Sequence, residues 1–226
     1  MKAHEAVMAW VTDELSSGRL QIGDRLPGER ALAETLQVSR GSLREALRVL
    51  EALGAIRSST GSGPGAGTIV TAAPEQALSL ALSLQLATSH VEPGHLVEVR
   101  ALLETWAAAH SDPALGDWGS AEHLLDLMDV EDLPIERFLD HDAQFHVALS
   151  KAAGNPLIST LMEALRSSIA EYTAEHAASL PDWSATAERL RAEHRRILAV
   201  LRTGDGDSGA RLLRAHIEGY YRGSTA

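Results

Sequence analysis

Ile22-Gly23-Asp24-Arg25-Leu26-Pro27-Gly28-Glu29-Arg30, followed by Leu36-Gln37-Val38-Ser39-Arg40-Gly41-Ser42-Leu43-Arg44-Glu45-Ala46-Leu47, is the stretch that decides how this chain begins to fold. Leu32 and Leu36 set one apolar stripe over about 28–36, and Leu43, Ala46, Leu47, Leu50 and Leu53 set another over about 40–53. Both follow the i, i+3, i+4 spacing of a half-buried helix. Pro27 stands where it can open the earlier helix, and Ser39 where its hydroxyl can cap the later one. Only Gln37-Val38-Ser39 lies between them, so the pattern is helix, tight turn, helix.

Upstream, Val7, Met8, Val11 and Leu15 predict a first helix over about 3–17 that Gly18 can end. Downstream, Ala55-Ile56-Arg57 and Thr68-Ile69-Val70-Thr71 flank the Gly-rich run from Ser58 to Gly67, which predicts a β-hairpin. A hairpin placed after a helix-turn-helix is a wing; the alternative for this Gly, Ser and Pro run is a flexible linker. From Pro74 onward the sequence reads helical, broken at His90–Gly94, Ser111–Gly119, Asp129–Leu133, Gly154–Pro156, Leu180–Asp182 and Thr203–Asp207. Those breaks predict about seven helices, and without repeats or strand alternation an antiparallel bundle is the economical arrangement. The expected fold is mainly α: a winged helix-turn-helix of three helices plus a small β-hairpin over 1–72, and a C-terminal all-α antiparallel bundle over 73–226.

Cysteine is absent, which excludes disulfides and thiolate metal sites and fits a reducing compartment. The N-terminus carries no signal-peptide pattern, and no run approaches the roughly 18 apolar residues of a membrane span. A soluble, cytoplasmic protein with no membrane partner is expected. A net charge of −11 argues against a nucleic-acid partner until its distribution is read. Residues 1–72 hold eight Lys+Arg against eight Asp+Glu, whereas residues 73–226 hold twelve against twenty-three. Within the neutral part, Arg30, Arg40, Arg44 and Arg48 cluster around one short helical stretch, so a local positive face is available.

A helix that enters a major groove needs long polar side chains on its first turns and an apolar back. Residues 39–53 supply both: Ser39, Arg40, Ser42, Arg44 and Arg48 can face out while Leu43, Leu47 and Leu50 face in. An ordinary solvated face, with these arginines paired to Glu45 or Glu51, is the competing explanation. The two quoted stretches closely resemble the signature of the GntR superfamily of transcriptional regulators. The resemblance implies that Arg30, Arg40 and Arg44 contact double-stranded operator DNA, with Ser39 and Ser42 beside them. The wing tip departs from the family pattern, since it is Gly, Ser and Pro with no charge after Arg57.

In the acidic part, Asp142-Ala143-Gln144-Phe145-His146 puts a carboxylate and an imidazole on one helical face. Such a pair usually makes no more than a hydrogen bond, but His194 and His216 lie in later helices that can converge on it. Phe138-Leu139-x-x-Asp142-x-x-Phe145-His146, Ala153-Gly154-Asn155-Pro156-Leu157, Glu193-His194 and Ala215-His216 are similar to the C-terminal FCD domain of the FadR-type branch of that superfamily. The resemblance implies a divalent metal on Asp142, His146, His194 and His216, with zinc first and nickel or manganese as alternatives. Four oxygen and nitrogen ligands leave a six-coordinate ion two positions for a bidentate carboxylate. It also implies that Arg100, in Glu98-x-Arg100-x-x-x-Glu104, lines the effector pocket. His4, His90, His95, His110, His123, His141 and His176 are expected to be non-ligands, Asn155 a helix-end device, and the four tryptophans core anchors.

The expected function is a ligand-responsive DNA-binding regulator, not an enzyme: a homodimeric repressor released from its operator by a small organic acid bound at a metal. The alternatives are a regulator that senses the metal itself, one whose ligand does not touch metal, and a metal-dependent hydrolase. The hydrolase would leave the N-terminal pattern unexplained, and no HExxH-type arrangement occurs in the metal-binding text.

Overall fold

Val7 and Val11 bury one face of α1 (Ala3–Ser16), and Leu32 and Ala33 one face of α2 (Glu29–Leu36), against α3 (Arg40–Ala52). From α3, Leu43, Ala46, Leu47 and Leu50 complete this core. Full burial of each valine or leucine here stabilises by about 1.5–3 kcal/mol. The computed structural model describes residues 3–59, 67–71, 73–88 and 92–222. The chain divides into two compact units, Met1–Ala77 and Leu78–Ala226.

Gly18, at φ +73°, lies just past the end of α1. Pro27 stands two residues ahead of the first helical residue of α2, with Gly28 as the cap, so it sets the entry to the helix and not its first turn. Gln37 turns the chain through the left-handed region at φ 55°. Ser39 then caps α3, its Oγ accepting from the Ser42 amide at 3.0 Å.

The wing is a hairpin and not a linker: β1 (Ile56–Ser59) pairs antiparallel with β2 (Gly67–Val70), Ile56 opposite Val70. Its tip, 60–66, lies outside the described residues. A pairing the sequence did not suggest adds a third segment, since Arg25 bridges Ile69 and the Leu26 amide donates to the Thr68 carbonyl at 2.9 Å. Gly54, at φ +71°, ends α3 where a Cβ would sit 1.9 Å from the Ala73 carbonyl oxygen. Its own carbonyl accepts from the Ala73 amide at 2.7 Å, fastening the far end of the wing segment to α3.

The second unit has helices as the regular secondary structure of its described residues. It comprises most of α4 (Glu75–Ala87), then α5 (Pro93–Ala109), α6 (Trp118–Met128), α7 (Ile135–Ser150), α8 (Pro156–Ala177), α9 (Trp183–Arg202) and α10 (Gly206–Arg222). Polar residues at the breaks start the helices: Asp117, Asn155 and Asp182 accept from backbone amides of α6, α8 and α9. α10 packs along α5 and α9, and α7 along α6 and α8. Gly206 permits the first contact, because a Cβ there would lie 2.6 Å from the Ala108 carbonyl oxygen of α5. Trp118 and Trp183 flank the main core and Trp10 the smaller one, but Trp106 is 38% exposed and stacks on His110. No helix of the described residues is long and apolar enough to cross a membrane.

Candidate functional site

In the first unit, Arg30, Ser39, Arg40 and Arg44 are exposed and Ser42 is half-buried, all on or beside the solvent face of α2 and α3. The helix back is closed by Leu43, Leu47 and Leu50. Ser39 and Ser42 also join hydroxyl to hydroxyl at 2.9 Å, so part of their role is to hold the first turn of α3. Arg44 donates from Nε to Glu29 Oε2 at 2.7 Å across the turn, and Arg48 pairs with Glu45 at 3.4 Å along its own helix. Exposed pairs of this kind are screened by solvent and contribute little, so they leave the guanidinium groups available to a stronger anion.

The second unit gathers Asp142 and His146 from α7, His194 from α9 and His216 from α10. One ligand atom from each lies within 4.8 Å of all the others, and all four residues are buried. His194 Nε2 is 3.0 Å from Asp142 Oδ1 and 3.1 Å from His216 Nε2, while His146 Nε2 is 3.9 Å from Asp142 Oδ1. Ligands each about 2.0–2.1 Å from one zinc ion are roughly 3–4 Å apart. The donor set and spacing fit a cation.

Carboxylates fix the imidazoles from behind. His146 Nδ1 is held by Glu104 Oε2, and His216 Nδ1 by Glu193 Oε2 at 2.7 Å. A proton kept on Nδ1 leaves the Nε2 lone pair directed at the shared centre. Glu104 also accepts from Arg100 Nε at 2.7 Å, and Arg100 lies 3.5 Å from Asp142, so this arginine joins the cluster through two carboxylates. Three buried atoms of this cluster, His146 Nε2, His194 Nδ1 and one terminal Arg100 nitrogen, have no hydrogen-bond partner.

The charges respond to this crowding. Burial works to raise Asp142, but His146, His194 and Arg100 outweigh it and hold the carboxyl far below the usual range. Burial likewise opposes ionisation of Glu104, yet His146 and Arg100 bring it down to about 2. Burial lowers His194, and burial with the neighbouring His194 pushes His216 down to about 4. Burial also works against the Arg100 charge, but Glu104 and Asp142 raise its pKa above the ordinary arginine value. Neutral imidazoles at His194 and His216 beside an ionised Asp142 are the protonation states that metal ligands require.

Glu104 and Glu193 are the members that sequence reasoning did not single out. Glu104 was within reach as the i+4 neighbour of Arg100. Glu193 adjoins His194 in sequence but serves His216, which only the packing of α9 on α10 reveals. Asn155 caps α8, its Oδ1 accepting from the Leu157 amide at 3.1 Å.

Comparison with known proteins follows the same division. Residues 3–65 match the bacterial regulatory proteins of the gntR family, and residues 95–219 match the FCD domain. The chain is 31% identical over 206 residues to the HTH-type transcriptional regulator LutR of Bacillus subtilis (strain 168), covering 90% of this chain and 92% of the relative. It is 28% identical over 204 residues to a protein of Escherichia coli (strain K12) named as an L-lactate dehydrogenase operon regulatory protein, covering 88% and 77%. Among solved structures, a GntR protein of Streptococcus agalactiae shares the fold with a TM-score of 0.66 at 22% identity, covering 97% of this chain and 99% of that one. With a gntR-type helix-turn-helix ahead of an FCD domain, the chain belongs to the FadR-type branch of the GntR family, whose members are transcriptional regulators rather than enzymes.

Proposed function

We propose that this regulator is a cytoplasmic homodimeric repressor in which residues 1–72 read a DNA operator and residues 73–226 bind a divalent metal together with a small organic acid. The observation that carries the sensing half is the convergence of Asp142, His146, His194 and His216, buried and within 4.8 Å of one another. Zinc is the first candidate for such a set, with nickel or manganese as alternatives. When bound, the metal supplies open positions to a carboxylate, and Arg100 supplies the counter-charge beside it. The E. coli relative is named for an L-lactate dehydrogenase operon, which makes L-lactate the first acid to try.

Arg30, Arg40 and Arg44, with Ser39 and Ser42, are the residues proposed to meet DNA. Their exposure on one face supports this. A dimer suits the two half-sites that helix-turn-helix proteins read. Val99, Leu102 and Trp106, at 43%, 65% and 38% exposure, form an apolar stripe on α5 that supports pairing through the FCD domain.

One observation favours a second reading, in which the metal itself is the signal. The space bounded by Arg100, Asp142, His216 and Tyr220 is about 10 Å³. That is the least that admits a single water, so an acid enters only if Arg100 leaves Asp142 or α10 shifts.

Elemental analysis of the purified chain beside His146→Ala, His194→Ala and His216→Ala tests the site. About one metal per chain, lost in the variants, supports it; no metal in any sample after supplementation overturns it. A gel-shift titration of the metal-loaded chain with L-lactate separates the two readings, since release by metal alone favours the second. Arg40→Ala and Arg44→Ala are expected to abolish the shifted band with the helical content unchanged, and retained affinity would refute the recognition-helix assignment.

A further inference from the structure

Between α4, α5 and α8 of the second unit lies a cavity of about 290 Å³, apart from the histidine cluster. Leu96 and Ser168 lie buried in it, with Leu86 half-buried beside them. Glu171 and Glu175 are exposed at its edge, four residues apart on α8. Tyr172 forms one wall, its ring stacked on Tyr221 with centroids 5.4 Å apart. One water needs only about 10–15 Å³ of such space, so the cavity admits a molecule much larger than water.

Ser168 is 4% exposed and its hydroxyl has no hydrogen-bond partner. A helical hydroxyl in such a place commonly bonds back to the carbonyl one turn earlier. Thr173 does so on this same helix, to Ile169 at 2.8 Å. An orphaned hydroxyl lining a cavity points to an absent partner. The charge of that partner follows from the lining, which among the described residues holds two carboxylates and no Lys, Arg or His.

We propose that this cavity is a second ligand site, for a small organic cation that carries an ammonium group on an apolar or aromatic body. Glu171 and Glu175 hold the charge, Tyr172 and the leucines hold the body, and Ser168 accepts or donates one hydrogen bond. Its selectivity is opposite in sign to that of the cluster around Arg100, so the two sites take different molecules and the proposal stands independently of the metal. An occupant would touch Ser83 and Leu86 of α4, the helix through which the chain passes from one unit to the other.

Isothermal titration of the full chain with 2-phenylethylammonium, 2-phenylethanol and phenylacetate tests this directly. The ammonium is expected to bind at least about tenfold more tightly than the alcohol, and phenylacetate more weakly still. The double variant Glu171→Gln, Glu175→Gln changes only exposed side chains and is expected to erase that preference while its melting curve without ligand is unchanged. Ser168→Leu replaces the hydroxyl with a larger apolar side chain that projects into the cavity, and is expected to weaken binding of the ammonium. No binding of the ammonium, equal binding of the alcohol or phenylacetate, or an affinity unaltered in the double variant would each overturn the proposal.

Discussion

Glu104→Gln keeps the shape of a buried side chain and removes its charge. Glu104 is 3% exposed, and its two oxygens accept from Arg100 Nε at 2.7 Å and from His146 Nδ1. A glutamine has one accepting oxygen, so whichever donor it keeps, the other meets an NH2 group. Arg100 would be left with Asp142, 3.5 Å away, as its remaining ion pair among the described residues. Removing one partner of a buried pair costs about 3–5 kcal/mol, out of a total stability of about 5–15 kcal/mol for a domain. Loss of the carboxylate behind His146 is expected to weaken metal binding by about 10–100-fold. Urea unfolding of chelator-treated protein at fixed protomer concentration measures the first effect, and competitive zinc titration the second. Glu98→Gln, exposed on the same helix, is the control. If Glu104→Gln stays within about 1 kcal/mol of the unaltered chain, the reasoning that this carboxylate ties α5 to α7 is wrong.

Three further perturbations address the first unit. Ser39→Ala removes the acceptor at the start of α3 and is expected to cost about 1 kcal/mol, read as a lower melting temperature. Leu43→Ala, at a fully buried position, is expected to cost about 2–5 kcal/mol and to lower operator affinity while metal content stays unchanged, measured by gel shift and elemental analysis. Gly54→Ala forces a Cβ to 1.9 Å from the Ala73 carbonyl at φ +71°. It is expected to destabilise by more than about 1 kcal/mol in urea, and a neutral result would mean that the wing attachment yields freely.

The helix-turn-helix was legible because its signals are local. Ser39 caps, Leu43 through Leu50 repeat at helical spacing, and β-prone residues flank the hairpin. The Arg25–Ile69 bridge was not, since that segment pairs through its backbone and shows no side-chain alternation. Asp142 and His146 announced themselves as i, i+4 neighbours. Nothing in sequence spacing joins them to His194 and His216, whose convergence depends on how α9 and α10 pack; only the family resemblance indicated it. Arg100 followed the same course. Its ordinary partner Glu104 was visible at i+4, but that carboxylate's second bond spans 42 residues to His146 and exists only in the folded chain.

What a folded interior leaves unpaired is also informative, because buried polar atoms are nearly always hydrogen-bonded and each exception asks for a cause. Six buried side-chain atoms among the described residues have no hydrogen-bond partner: one each on Arg100, Ser111, His141, His146, Ser168 and His194. Three of them belong to the cluster around Asp142, and one lines the cavity beneath Glu171 and Glu175. At about 1–3 kcal/mol for each unpaired group, the three gathered around Asp142 are costly unless something there completes them. A cation between the imidazoles would take up the His146 Nε2 lone pair, and an anion beside it the spare Arg100 donor. An organic cation in the second cavity would meet the Ser168 hydroxyl. For Arg100, His146 and Ser168, then, the unpaired atom is what the proposed ligands would complete.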